Sequence, residues 1–261
     1  MKTRIILTAL LFLLLGPAFA QAHFGMVIPS ASTIMESSQA EMSAIIAFAH
    51  PFAAQGMTME KPQSVFLEGP KGRLNLTDAL EPTKFMGKEA WQVKFRPAQP
   101  GVWQLAVIPE PYYESSEESF IIHYTKTVIG AFGGEDDWDR PLGLPMEIVP
   151  LVRPFANYAG NLFSGTVLQN GKALPGAPVE VEFLNQSGTA SAPNPYFETQ
   201  VLHTDQNGNF SFSIPWAGWW GFAALADSPQ KLEKDGKEMN VETGAVIWLK
   251  FVQPQIGAGA H

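Results

Sequence analysis

The chain has 261 residues, with 17 Lys or Arg against 25 Asp or Glu and a formal net charge of −8 at pH 7. That acidic balance argues against nucleic acid or an anionic membrane surface as a partner. The sequence holds no cysteine, which excludes disulfides and thiolate ligands, and its 46% hydrophobic content is enough for a real core.

Residues 1–22 read as a secretory leader. Lys2 and Arg4 give a basic start, Ile5–Leu15 an apolar run, and two overlapping A-x-A sites follow at Ala18-Phe19-Ala20 and Ala20-Gln21-Ala22. The run is shorter than the about 20 residues a membrane span needs. Cleavage after Ala22 is expected, which places an exported chain in the periplasm with His23 as its first residue. Such a residue offers two ligand nitrogens, the α-amine and the imidazole Nδ1, which chelate one metal ion as a pair. Cleavage after Ala20 instead hands the amine to Gln21 and loses the chelate.

Beyond the leader the pattern is all-β. Short apolar, β-branched and aromatic runs alternate with Gly, Pro, Asn and Asp, and no segment sustains a 3.6-residue apolar period. The first half predicts strands over Ser43–Ala49, Ser64–Leu67, Ala90–Phe95, Gly101–Ile108 and Ser119–Thr127. The last is apolar nearly throughout at Phe120-Ile121-Ile122-His123-Tyr124, as in a strand covered on both faces. A domain junction is expected at 133–145, where Gly133-Gly134-Glu135-Asp136-Asp137 precedes the proline-stiffened Arg140–Pro145. The second half carries Gly165-Thr166-Val167-Leu168, the hairpin dipeptide Asn170-Gly171, the alternating Val179–Phe183, and Thr204-Asp205-Gln206-Asn207-Gly208-Asn209-Phe210. Trp216–Phe222 and Ala245–Leu249 add further strands. That order resembles the immunoglobulin- or transthyretin-like sandwiches of secreted proteins, a likeness of fold alone. The expected organisation is a leader (1–22), an N-terminal β-sandwich that binds metal (23–132), a linker (133–145), a C-terminal immunoglobulin-like β-sandwich (146–253) and a flexible tail (254–261).

The histidines carry most of the chemistry. His50 ends a strand before Pro51, which forces it into an extended conformation. His123 lies inside an apolar strand, where a buried imidazole needs either a hydrogen-bond partner or a metal. Three histidines (His23, His50, His123) share the first half, and nitrogen donors of this kind suit Ni, Co, Cu and Zn rather than Mg or Ca. His203, beside a turn, is read as solvated or cross-strand, and His261 as part of the tail. Met26, Met57 and Met59 are either thioether donors for soft copper or apolar filler. Trp216, Trp219, Trp220 and Phe222 are either a stacking platform for sugars or core. Glu114, Glu117 and Glu118 beside Tyr112 and Tyr113 either rim a cation site or form a solvated loop. No G-x-S-x-G, H-E-x-x-H or phosphate loop is present, and no spacing nominates a Ser-His-Asp triad, so the chain is read as no enzyme.

The runs His23-Phe24-Gly25-Met26-Val27-Ile28-Pro29, Phe48-Ala49-His50-Pro51-Phe52 and Phe120-Ile121-Ile122-His123-Tyr124-Thr125-Lys126 resemble the periplasmic metal-binding components of bacterial nickel/cobalt uptake ABC systems. Ile148-Val149-Pro150-Leu151-Val152-Arg153-Pro154 and Pro215-Trp216-Ala217-Gly218-Trp219-Trp220-Gly221-Phe222 belong to the same pattern. The resemblance spans nearly the whole chain after the leader. It implies a carrier that takes Ni2+ or Co2+ as cargo and delivers it to the permease subunits of an energy-coupling ABC transporter, with His23, His50 and His123 as ligands. An N-terminal segment mobile enough to swing away would release the ion. Two alternatives remain open: a secreted copper protein, oxygenase or carrier, with a histidine brace for Cu2+, and a metal-free adhesion or carbohydrate module built on the Trp cluster.

Overall fold

The structure, a computed structural model, describes residues 22–255. The expected leader, apart from Ala22, and residues 256–261 of the expected tail, with His261, lie outside the described residues. Among the described residues no helix is long and apolar enough to cross a membrane.

The first half contributes β1 (Phe24–Pro29), β2 (Thr33–Ile34), β3 (Met42–His50), β4 (Gln55–Met57), β5 (Ser64–Gly69) and β6 (Gly72–Asn75). It continues with β7 (Glu81–Phe85), β8 (Lys88–Phe95), β9 (Gly101–Ile108), β10 (Tyr112–Glu114) and β11 (Ser119–Ala131). The second half contributes β12 (Met146–Pro150), β13 (Asn157–Tyr158), β14 (Leu162–Gln169), β15 (Lys172–Ala173) and β16 (Pro178–Phe183). After these come β17 (Gln200–His203), β18 (Asn209–Ser213), β19 (Gly218–Asp227), β20 (Leu232–Lys234) and β21 (Lys237–Val252). The predicted runs fall inside these strands, except that Trp216 and Ala217 precede β19 and Thr204–Gly208 lead into β18 as a turn. Asn170 and Gly171 both take positive φ, 50° and 75°, and turn β14 into β15 as the dipeptide predicts.

The chain is an all-β pair of sandwiches that share one long sheet. Its path is β17-β16-β19-β21-β11-β9-β5-β6, and β11 and β21 run parallel from Ser119 opposite Asn240 to Thr127 opposite Trp248. On one side the sheet β1-β3-β8-β7 closes the first core, with Val27, Ile46, Phe48 and Val93 packed on Leu67, Leu105 and Ile129. On the other, the sheet of β12, β14, β15 and β18 closes the second, with Ile148, Phe163 and Phe210 on Val181, Phe222 and Ile247. Residues 133–145 carry no strand, and the halves they join are continuous through β11 and β21. This connection is tied down by Glu147, whose carboxylate accepts from the Leu142 and Gly143 N–H groups and meets Lys126 Nζ at 2.6 Å. Both charged side chains of that pair are buried, so removal of either strands the other.

A third core explains the unbroken apolar runs. Phe24 and Met26 of β1 and Ala47 and Ala49 of β3 face away from the first core. They pack on Ala223 of β19 and on Val246 and Trp248 of β21. β1 is thus covered on both faces and, at its N-terminal end, along its open edge. It pairs with β3 on one side only, and the other edge is closed by side chains. The Gly25 N–H donates to His123 Nδ1 at 3.2 Å, and the Gly25 carbonyl accepts from Trp248 Nε1–H at 2.8 Å. The N-terminal segment expected to swing free is therefore corrected: Phe24 is fully buried and the strand it begins is locked on every side. Gly25 makes this approach possible, since a Cβ there would stand 2.3 Å from Thr125 Oγ1 and 2.9 Å from His123 Cβ.

Gly25→Ala should destabilise the chain by about 1–3 kcal/mol through that overlap, read as a lower midpoint in urea with an unchanged slope. A midpoint equal to that of the unmodified chain would show that β1 does not rest on β11 as described.

Candidate metal centre

The register of two strands builds the centre. In the β1–β3 pair Phe24 lies opposite Ala49 and Pro29 opposite Ala44, so one further step sets His23 against His50. Their rings meet with centroids 4.7 Å apart. Pro51 ends β3 directly after His50, and the turn that follows is anchored to the second half of the chain. Phe52 N–H donates to Glu182 Oε2 at 3.0 Å, Asn185 Nδ2–H to the Phe52 carbonyl at 2.9 Å, and Asn185 N–H to the Pro51 carbonyl at 3.2 Å. Glu182 is itself a buried carboxyl. Desolvation pushes it up to about 8 against the hydrogen bonds from Thr199 and Phe52, so it holds a proton at neutral pH.

Hydrogen bonds fix which ring nitrogens carry lone pairs. His50 Nδ1 lies 2.9 Å from the Ala22 carbonyl, which can only accept, so Nδ1–H donates and Nε2 is bare. His23 Nε2 lies 3.3 Å from Glu114 Oε2, so Nε2–H donates there and Nδ1 is bare. Glu114 ends β10, and the Ser116 hydroxyl and N–H hold its other oxygen at 2.7 and 2.9 Å. Those bonds, the hydroxyl first, keep Glu114 below the usual carboxylate range, so it stays ionised. Burial drives the His23 imidazole down to about 4. The nearby His50 and His123 add to the fall, and Glu114 only partly opposes it. A neutral imidazole with Nε2–H held by a carboxylate is the form in which histidine binds metal through Nδ1.

His123 is held differently. It is buried on β11, as its apolar run predicts, opposite Gly244 of β21. A Cβ at residue 244 would stand 2.4 Å from His123 Cδ2 and 2.7 Å from Nε2, so the glycine leaves room for the ring. Because Nδ1 accepts from Gly25, the neutral ring carries its proton on Nε2, which is buried without a hydrogen-bond partner. The nearest carboxylate oxygen, Glu242 Oε1, is 3.7 Å away. Phe48 packs on both histidines, stacked on His23 at 5.9 Å and edge-on to His123 at 5.7 Å. A cavity of about 30 Å3 beside His123, lined by Phe48, Met59 and Tyr112, has room for a single water. The structure thus brings His23 and His50 together and sets His123 behind Phe48 as the anchor of Gly25. Among the described residues no three His, Cys, Asp or Glu side chains converge as one ion-holding set.

The remaining sequence candidates separate cleanly. Met26 and Met59 are buried in apolar cores, with Met57 packed alongside. His203 is exposed on β17. Of the aromatic group, Trp220 and Phe222 are core, while Trp216 is 41% exposed over a cleft of about 350 Å3 with Phe52 and Phe197. Of the acidic group, Glu114 reaches the centre. Glu117 instead faces Glu242 and Glu180, and Glu180 is pushed up to about 7 by burial and those neighbours. No local pattern marks Ala22, Glu182 or Asn185 as supports of His50. Their partners lie 28 to 133 residues away.

The low value for His23 has a sign that can be measured. The unfolded chain takes up the proton near 6.5 and the folded chain near 4, so folding stability is present above about pH 6.5 and is lost as pH falls towards 4. In a proton NMR titration of the metal-free chain, the His23 ring should not titrate between pH 8 and 5, and His23→Gln should flatten the acid limb of the stability profile. A His23 midpoint near 6.5 would contradict the buried, neutral ring.

No curated protein matches the chain. Solved structures align over most of its length but with low scores. The D0-D1 domain of intimin is 10% identical over 87% of this chain and 99% of its own, with a TM-score of 0.25. The fibronectin(III)-like modules of CbhA from Clostridium thermocellum are 10% identical over 90% and 99%, at 0.24. The adhesin InvE of Yersinia pseudotuberculosis is 12% identical over 85% and 58%, at 0.23. Scores at this level transfer neither ligand nor activity. Residues 20–228 match a domain of unknown function, DUF4198, and on that match, which takes in the whole centre around His23 and His50, the chain belongs to the DUF4198 family.

Proposed function

We propose that this chain is a periplasmic carrier of a late divalent transition metal, with Ni2+ or Co2+ as cargo delivered to the permease of an ABC uptake system. The observation that carries the reading is the meeting of two imidazoles, His23 and His50, with centroids 4.7 Å apart, where His23 presents a bare Nδ1 because Glu114 holds its Nε2–H and His50 keeps a bare ring nitrogen whether or not Ala22 is attached. A third donor need not be a side chain: cleavage after Ala22 makes it the α-amine of His23, which closes a chelate with Nδ1 of the same residue. Three nitrogens and no carboxylate suit nickel, cobalt or copper. His123 would join them only by giving up its bond from Gly25 N–H. The resemblance of the His23, His50 and His123 runs to nickel/cobalt uptake components supports the choice of cargo. His23 precedes β1, so its ring can turn to release an ion without unzipping the strand.

A copper protein is the second reading, because an amine and two imidazoles bind Cu2+ more tightly than Ni2+ by intrinsic affinity. Separate dialyses of a chain beginning at His23 against Ni2+, Co2+ or Cu2+, each followed by metal analysis, separate the two. Nickel or cobalt retained at one ion per chain is expected. Copper alone, with reductant-dependent oxygen consumption, would favour the second reading, and no bound metal would overturn both. His50→Ala should weaken binding at least about tenfold, or roughly 1.4 kcal/mol. Unchanged affinity in that variant would remove His50 from the site.

A further inference from the structure

The peptide group joining Ala22 to His23 is itself part of the folded centre. Ala22 is 5% exposed and packs in the third core with Phe24, Ala49 and Leu184. Its carbonyl is the acceptor that fixes the His50 ring, at 2.9 Å from Nδ1. While this bond stands, the His23 nitrogen is an amide and no metal donor, and the His50 ring is pinned in one tautomer. The amide nitrogen is bonded to the same carbonyl carbon. An amine released there therefore begins life on the Nδ1 side of His50.

We propose that removal of the leader gates this centre: a chain that folds with Ala22 attached is locked, and cleavage before folding opens it. The step is hydrolysis by a leader peptidase. Water adds across the Ala22–His23 bond, its hydroxyl going to the carbonyl carbon and its hydrogen to nitrogen, so that Ala22 leaves as a carboxylate and His23 keeps a free amine. One cut makes two changes. It creates the amine donor and it takes away the oxygen that holds His50 Nδ1–H. Order matters because the bond is buried once β1 has docked, out of reach of a protease that binds extended chain. A cytoplasmic precursor that folded early would hold metal at least about tenfold more weakly, which favours loading of the exported protein. The inference rests on the metal reading above and adds its regulation.

The test compares two metal-free chains, residues 22–261 and residues 23–261, by 15N NMR of the His50 ring and by titration with Ni2+ alone. The longer chain should show a single tautomer with a slowly exchanging Nδ1–H, and the shorter chain should lose that protection. The shorter chain should bind Ni2+ at least about tenfold more tightly, a difference of roughly 1.4 kcal/mol. The same His50 tautomer and exchange in both chains would overturn the gate whatever nickel does. Release of His50 with equally tight binding in both would overturn the gate and leave the metal reading standing. Release with no binding of nickel, cobalt or copper by either would overturn both. Finally, an alanine aminopeptidase should strip Ala22 from the longer chain in urea and leave it on the folded chain. Equal rates would overturn the required order.

Discussion

Much of the structure depends on how one glycine is held. Gly25 sits on the open edge of β1, where both of its backbone polar groups would otherwise face an apolar junction. His123 from β11 accepts its N–H and Trp248 from β21 donates to its carbonyl. An unpaired buried group of either kind would cost about 1–3 kcal/mol, so the two side chains act as substitutes for a neighbouring strand. They come from strands that run parallel across the two halves of the chain, which means that β1 is placed only when both halves have folded. His23, one residue before β1, inherits that position.

The same burial sets the charge states around the centre. Desolvation keeps the His23 imidazole neutral, which a metal ligand requires, and it keeps Glu182 protonated behind the turn after His50. Glu114 escapes because Ser116 supplies two hydrogen bonds to its carboxylate, so a single anion remains beside His23 to hold Nε2–H. Burial opposes the charged form of all three groups. The local hydrogen bonds at residue 116 decide which one keeps its charge.

The strands of both halves, the Asn170-Gly171 turn and the burial of His123 were legible in the sequence because each rests on contacts or patterns within a few residues. The run Phe24–Pro29 carries no strand signal. It is apolar on both faces and contains Gly25 and Pro29, so it lacks the alternation that marks a half-buried strand, and its role is set by partners from Thr125 to Trp248. The two halves read as separate sandwiches because each has its own core. That β11 and β21 join them in one sheet follows from a pairing over more than a hundred residues, which no local pattern encodes. Of the candidate centre, the histidines stood out by type and position. Glu114 stood out as one of the acidic residues that could rim a cation site, while the Ala22 carbonyl and Asn185 are ordinary groups until the fold brings them close to His50.

The central claim is that an ion is held by nitrogen from His23 and His50 at the end of the β1–β3 ladder. X-ray absorption at the nickel edge, recorded on the Ni2+-loaded chain beginning at His23, tests it most directly. A first shell of nitrogen or oxygen with the outer scattering of two imidazole rings, and no sulfur, is the result predicted. A sulfur scatterer from Met57 or Met59, or a shell without imidazole, would contradict it.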